Sequence, residues 1–82
     1  MENKIKIEYC VPCQFEKQAR QLSEELQAQY GPKIDSIDLE PTRLVGSFEV
    51  FHNGELIFSK KKSGHLPHPG EVEQILFTRI MK

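Results

Sequence analysis

The sequence contains no tryptophan, only two cysteines, no excess of charge of one sign and no apolar run longer than a few residues. Each shortage closes off a class of protein. Lys and Arg number 11 against 12 Asp and Glu, for a formal net charge of -1. That balance gives no electrostatic basis for binding nucleic acid or an anionic membrane. Apolar runs this short do not span a bilayer, which takes about 20 residues in a helix. From Met1 to Glu8 charged and apolar residues alternate, whereas a secretory signal needs a continuous apolar stretch. The expected compartment is the cytoplasm.

What is present reads as one domain over residues 1–82. Apolar residues make up 38% of the chain and charged residues 28%, which argues against disorder. A chain of 82 residues has room for one core and one surface site.

Ile5, Ile7 and Tyr9 alternate with Lys4, Lys6 and Glu8, the period of a strand with one buried face. The period changes at Phe15. Phe15, Ala19, Leu22, Leu26 and Tyr30 share a helical face, and Gly31-Pro32 ends the helix. Ile34 to Leu39 is expected to be a short strand with Ile37 and Leu39 inward, closed by Pro41, with a loop over Glu40–Gly46. Asn53-Gly54 between Ser47–His52 and Glu55–Lys60 is the signature of a hairpin with a type I′ turn. Lys60-Lys61-Lys62 opens a loop through His68, and Pro69 starts a second helix with Val72, Ile75, Leu76 and Ile80 as its buried stripe. Phe15, Phe48 and Phe58 are expected in the core.

The order β-α-β-β-β-α implies an α/β layer fold with a four-stranded mixed sheet and two helices. The first strand, helix and second strand make a right-handed parallel unit. Three loops then converge on one rim of the sheet, where open α/β sheets place their sites.

That rim carries Cys10-Val11-Pro12-Cys13. A disulfide this local restrains almost no loop, so a stabilising role is weak. Two thiols at this spacing between a strand and a helix point to redox chemistry. Pro12 suits the first helical position, and the free amides of the first turn favour a thiolate. A rival reading pairs the cysteines with His65 and His68 in a Cys2His2 zinc site, although the histidines lie too close together for a standard finger. In the simpler reading His68 sits near the helix start, His65 is a solvated loop residue, and His52 is a surface strand residue. The lysine run is either a solvated strand end or a positive rim that attracts an anionic thiol.

Cys10-Val11-Pro12-Cys13, Gly46-Ser47-Phe48-Glu49-Val50, Asn53-Gly54, Leu56-Ile57 and Ser59-Lys60-Lys61-Lys62 together resemble the selenoprotein W-related, or Rdx, family over nearly the whole chain. The resemblance implies a thioredoxin-like fold and a thiol-based oxidoreductase role linked to glutathione. Selenoprotein members carry selenocysteine at the second motif position, which here is Cys13, so exchange is expected to be slower. Thioredoxin logic names Cys10, as the exposed thiol at the strand end, for the attack, whereas the selenocysteine position names Cys13. The reading adopted takes Cys10 as attacking and Cys13 as resolving. Thioredoxins also place a cis-proline before the hairpin strand that faces the site, where this chain has Val45-Gly46.

The expected function is thus that of a small thiol–disulfide oxidoreductase. Cys10 and Cys13 are the catalytic residues, and Val11, Pro12, Val45, Gly46 and Lys61 contact substrate. Protein thiols or glutathione are the expected partners, with glutathione as co-substrate and no other cofactor. The alternatives are a redox-switched binding module without turnover and the zinc site.

Overall fold

A computed structural model describes residues 3–68 and 70–80. The chain runs through β1 (Lys4–Cys10), α1 (Glu16–Tyr30), a 3-10 turn (Gly31–Lys33), β2 (Ser36–Thr42), β3 (Phe48–His52), β4 (Glu55–Ser59), a single helical turn α2 (Lys60–Ser63) and α3 (Glu71–Ile80). The four strands form one sheet in the order β2-β1-β3-β4. β1 pairs parallel to β2 and antiparallel to β3, and β3 pairs antiparallel to β4. This is the mixed four-stranded sheet that the element order implied, and the thioredoxin-like arrangement that the family resemblance implied.

The alternation in β1 decides the layering. Ile5, Ile7 and Tyr9 are buried, as are Phe48 and Val50 of β3 and Phe58 of β4. They pack with Ala19, Leu22, Leu26 and Tyr30 of α1 and with Val72 and Leu76 of α3 in a single cluster. Since β1 presents alternate residues to that cluster, both long helices cover the same sheet face. Tyr30 Oη donates to the Glu73 carbonyl at 3.0 Å, which ties the end of α1 to α3. The other face is more polar, with a Lys6–Glu8 ion pair at 3.3 Å and Ser59 Oγ donating to Glu49 Oε2 at 3.1 Å. Asn53 and Gly54 both take positive φ, 52° and 84°, as the hairpin reading requires.

Several expectations are corrected. β2 does not stop at Leu39 but continues through Pro41 to Thr42. It is an edge strand, where a residue without an N–H can lie with its nitrogen turned away from the ladder. The lysine run is not loop but the α2 turn, closed by the Gly64 N–H donating to the Lys60 carbonyl at 2.7 Å. Pro69, read as a helix start, lies outside the described residues. His52 is buried, 6% exposed, because Asn3 Oδ1 meets its Nε2 at 2.8 Å and Arg79 Nε donates to its Nδ1 at 3.0 Å.

Candidate functional site

The site is built on the end of the central strand. Because β1 lies between β2 and β3, its last residue is held on both sides. Cys10 pairs with Thr42 in the β1–β2 register, and its N–H donates to the Ser47 carbonyl at 2.9 Å. The next N–H, of Val11, donates to the Thr42 carbonyl at 2.9 Å. The end of β1 and both ends of the β2–β3 connection therefore meet at this rim, as the connectivity argument expected. The third expected segment, Lys60–His68, does not finish there but along α1.

Val11 to Gln14 form a turn closed by the Gln14 N–H donating to the Val11 carbonyl at 2.9 Å. Gln14 has φ 61°, a left-handed conformation uncommon for a residue with a Cβ. The turn brings Cys13 back over Cys10, and the two form a disulfide with a Cα–Cα distance of 5.3 Å. The helix begins only at Glu16. Pro12 is therefore not its first residue, and the expected placement of the motif within the first helical turn is corrected. The left-handed Gln14 breaks the helical path between motif and helix.

Individual amides stand at the sulfurs instead. The Cys13 N–H donates to Cys10 Sγ at 3.2 Å, and the Gly46 N–H donates to Cys13 Sγ at 3.1 Å. Gly46 has φ 82°, a left-handed value that costs a residue with a Cβ about 1–2 kcal/mol. A proline here could not donate at all. The accessibility of the two sulfurs is also the reverse of the sequence expectation. Cys10 is fully buried, while Cys13 is partly exposed.

Around the disulfide the surface is apolar. Val11 is 50% exposed, Leu44 61% and Val45 77%, more than isolated apolar residues in an otherwise charged surface lead one to expect. Val11 and Pro12 also line a groove of about 480 Å³ with Pro41, Thr42 and Arg43. Of the residues expected to contact substrate, Val11, Pro12, Val45 and Gly46 thus lie at the motif. Lys61 is exposed on α2, and it is its neighbour Lys60 that reaches toward the site, with Nζ 5.8 Å from the centre of the Phe15 ring. Phe15 in turn packs edge-on to Phe48. Leu44 and Arg43 were not singled out from the sequence; their position between the end of β2 and Gly46 was the available signal.

The histidines do not join the cysteines. Among the described residues, the one group of donors able to converge on an ion is His65, His68 and Glu71, with neither cysteine in it. The reason is that the chain leaves the rim after α2. Leu66 packs against the core, and Leu66 to His68 lie along α1 at Gln18, Gln21, Leu22 and Glu25. The Cys2His2 arrangement is therefore corrected.

Comparison with known proteins agrees with this architecture. A crystal structure of a selenoprotein W-related protein from Vibrio cholerae superposes with a TM-score of 0.92 at 30% identity, over 98% of this chain and 99% of that one. A Bordetella parapertussis protein shares the fold with a TM-score of 0.91 at 24% identity, over 96% and 99% of the two chains. Migration and invasion enhancer 1 is similar in Bos taurus at 40% identity over 68 residues, 79% of this chain and 54% of that protein. In Mus musculus it is 35% identical over 75 residues, 88% of this chain and 60% of that protein. The chain spans little more than half the length of those two relatives. A model of the Rdx family matches residues 4–77, a span from the first strand through most of the last helix, and the chain belongs to that family.

Proposed function

We propose that the protein is a thiol–disulfide oxidoreductase in which Cys13 makes the attack and Cys10 resolves it. The observation that carries this reading is the unequal burial of the two cysteines whose sulfurs are bonded, Cys10 fully buried and Cys13 partly exposed. A substrate disulfide can reach only the partly exposed sulfur, so the assignment from thioredoxin logic is exchanged. The Cys13 thiolate attacks one sulfur of the substrate, and the other leaves as a thiolate that takes a proton. Cys10, as a thiolate, then attacks Cys13 Sγ and expels the second substrate thiol. The substrate gains two electrons, and Cys10 and Cys13 end as the disulfide. Two molecules of glutathione restore the dithiol and leave as glutathione disulfide.

Local amides support the anionic steps. The Gly46 N–H already points at Cys13 Sγ and the Cys13 N–H at Cys10 Sγ, and hydrogen bonds to a charged acceptor are stronger than those to a neutral one. Ser47 Oγ is buried with no hydrogen-bond partner among the described residues, on the residue whose carbonyl accepts the Cys10 N–H, and a Cys10 thiolate would offer it an acceptor once the disulfide opens. Lys60 supplies a positive charge near the rim that suits an anionic thiol. This chemistry supports a glutathione-linked role in the cytoplasm, a reducing compartment in which disulfides are transient and catalytic.

Mass spectrometry across a glutathione redox titration tests the proposal. The dithiol and the Cys10–Cys13 disulfide are expected to interconvert between about −300 and −120 mV. If neither a disulfide nor a glutathione adduct forms over that range, the proposal fails. The exposed Val11, Leu44 and Val45 favour one second reading, a docking face whose association is switched by the disulfide. Stoichiometric oxidation without cycling, in an assay with a protein disulfide and glutathione, is the result that selects it.

A further inference from the structure

The two histidines that fail to meet the cysteines meet each other. Beyond α2 the chain turns at Gly64, and the His65 ring stacks on the His68 ring with centroids 4.4 Å apart and planes 7° from parallel. Donor atoms of His65, His68 and Glu71 all lie within 4.8 Å of one another. We propose that these three side chains form a binding site for a divalent metal ion of the zinc class, separate from the cysteine pair.

Two of the three donors, His65 and Glu71, are already oriented by a second contact. His65 Nδ1 lies 2.7 Å from the Leu66 carbonyl oxygen. A carbonyl only accepts, so Nδ1 carries the proton in the metal-free site. The same nitrogen lies 3.9 Å from Glu71 Oε1, so metal binding either displaces that proton or turns the ring to present Nε2. Glu71 Oε1 accepts the His68 backbone N–H at 3.0 Å, which fixes the carboxylate and leaves its second oxygen available. Leu66 anchors the loop in the core between the two histidines, and His65 also rests 6.1 Å from the Phe58 ring.

Two imidazoles and a carboxylate suit an ion of intermediate softness. Three protein donors around zinc leave a fourth position for water or another ligand. Zinc bonds of about 2.0–2.1 Å place tetrahedral donors roughly 3.3–3.4 Å apart, so closure draws donors that lie within 4.8 Å together by up to about 1.5 Å and tilts the stacked rings out of parallel so that their in-plane lone pairs converge. His68 is exposed and its ring can make that movement. Charge sets the strength. The donor set carries one negative charge when both imidazoles are neutral, while Lys62 shares a surface groove with Glu71 and opposes a cation. A micromolar rather than a nanomolar site follows.

The experiment uses the oxidised protein, in which the cysteines are bonded to each other and their thiolates are not available as ligands. Calorimetric titration with zinc chloride is expected to give one ion per chain with a Kd of about 1–10 µM. His68→Ala and Glu71→Gln should each weaken binding at least about 10-fold, and the Cys10→Ser/Cys13→Ser double variant should bind as the parent does. With copper(II) in place of zinc, the electron paramagnetic resonance spectrum should show coupling to two imidazole nitrogens. This is a readout independent of how well a variant folds. The absence of saturable zinc binding up to about 1 mM overturns the proposal. So does undiminished affinity in a folded His65→Ala/His68→Ala variant.

Discussion

The backbone N–H of Gly46 donates to Cys13 Sγ at 3.1 Å across a sequence separation of 33 residues. This bond joins the loop before β3 to the turn after β1, so Cys13 Sγ is positioned by two segments and not by its own motif alone. Replacing Gly46 by alanine is expected to destabilise the protein by about 1–2 kcal/mol through its left-handed φ. The added Cβ meets nothing within 4 Å, so the cost is backbone strain and not a clash. As the loop relaxes the donor moves off the sulfur, and the Cys13 thiolate loses a hydrogen bond that supports its charge. Urea unfolding reports the first effect, and the pH dependence of alkylation of reduced Cys10→Ser protein reports the second.

Single cysteine variants separate the roles of the two sulfurs. Cys10→Ser keeps the accessible sulfur and should accumulate a stable mixed disulfide with glutathione. Cys13→Ser keeps only a sulfur buried at the end of β1 and should react at least about 10-fold more slowly, since exchange requires access as well as a thiolate. Mass spectrometry of the adducts over time checks both. Equal rates, or faster reaction through Cys10, reverse the assignment.

The apolar rim predicts a difference between substrates. Leu44 and Val45 protrude beside the motif, and covering one such side chain contributes about 1.5–3 kcal/mol. The Leu44→Ser/Val45→Ser variant should therefore lose about 10-fold or more in rate toward a protein disulfide. Its rate toward a small disulfide should stay within about 2-fold, and its stability within about 0.5 kcal/mol, as exposed positions allow. An equal loss on both substrates would place these residues in the chemistry and not in docking.

Much of this arrangement is legible in the sequence because it rests on local rules. The alternation of Ile5, Ile7 and Tyr9 gives β1 and its buried face, Asn53-Gly54 gives the hairpin, and strand direction alone brings the β2–β3 connection to Cys10, while the loop after α2, expected at the same rim, runs along α1 instead. The parts that were not legible depend on partners distant in sequence. Pro12 looks like a helix start until Gln14 takes a left-handed φ to close the motif turn. Pro41 looks like a strand end until β2 is found at the sheet edge. Burial of Cys10 follows from its strand lying centrally, flanked by Thr42 and Ser47, and neither neighbour is near it in the chain. His52 follows the same rule: nothing local indicates that Asn3 and Arg79 close over its ring.

That enclosure makes His52 a source of acid sensitivity. Burial, and after it the positive charge of Arg79, hold its pKa below the ordinary 6.5. Arg79 Nε donates to Nδ1, so the neutral ring carries its proton on Nε2 and donates it to Asn3 Oδ1. In the unfolded chain the imidazole regains a pKa near 6.5, so on acidification that state takes up the proton first. The contribution of His52 is therefore fully present above about pH 6.5 and is lost progressively as pH falls from there through the lowered folded value. Free carboxyl groups titrate near pH 4, so the interval from about pH 7 to 5 sets the three imidazoles of the chain apart from them, and comparison with a His52 variant singles out this one. Over it the Tm of the parent should fall, while that of His52→Gln, whose amide can still meet Arg79 and Asn3, should be nearly flat. Parallel curves for the two proteins would show that His52 is not the titrating group.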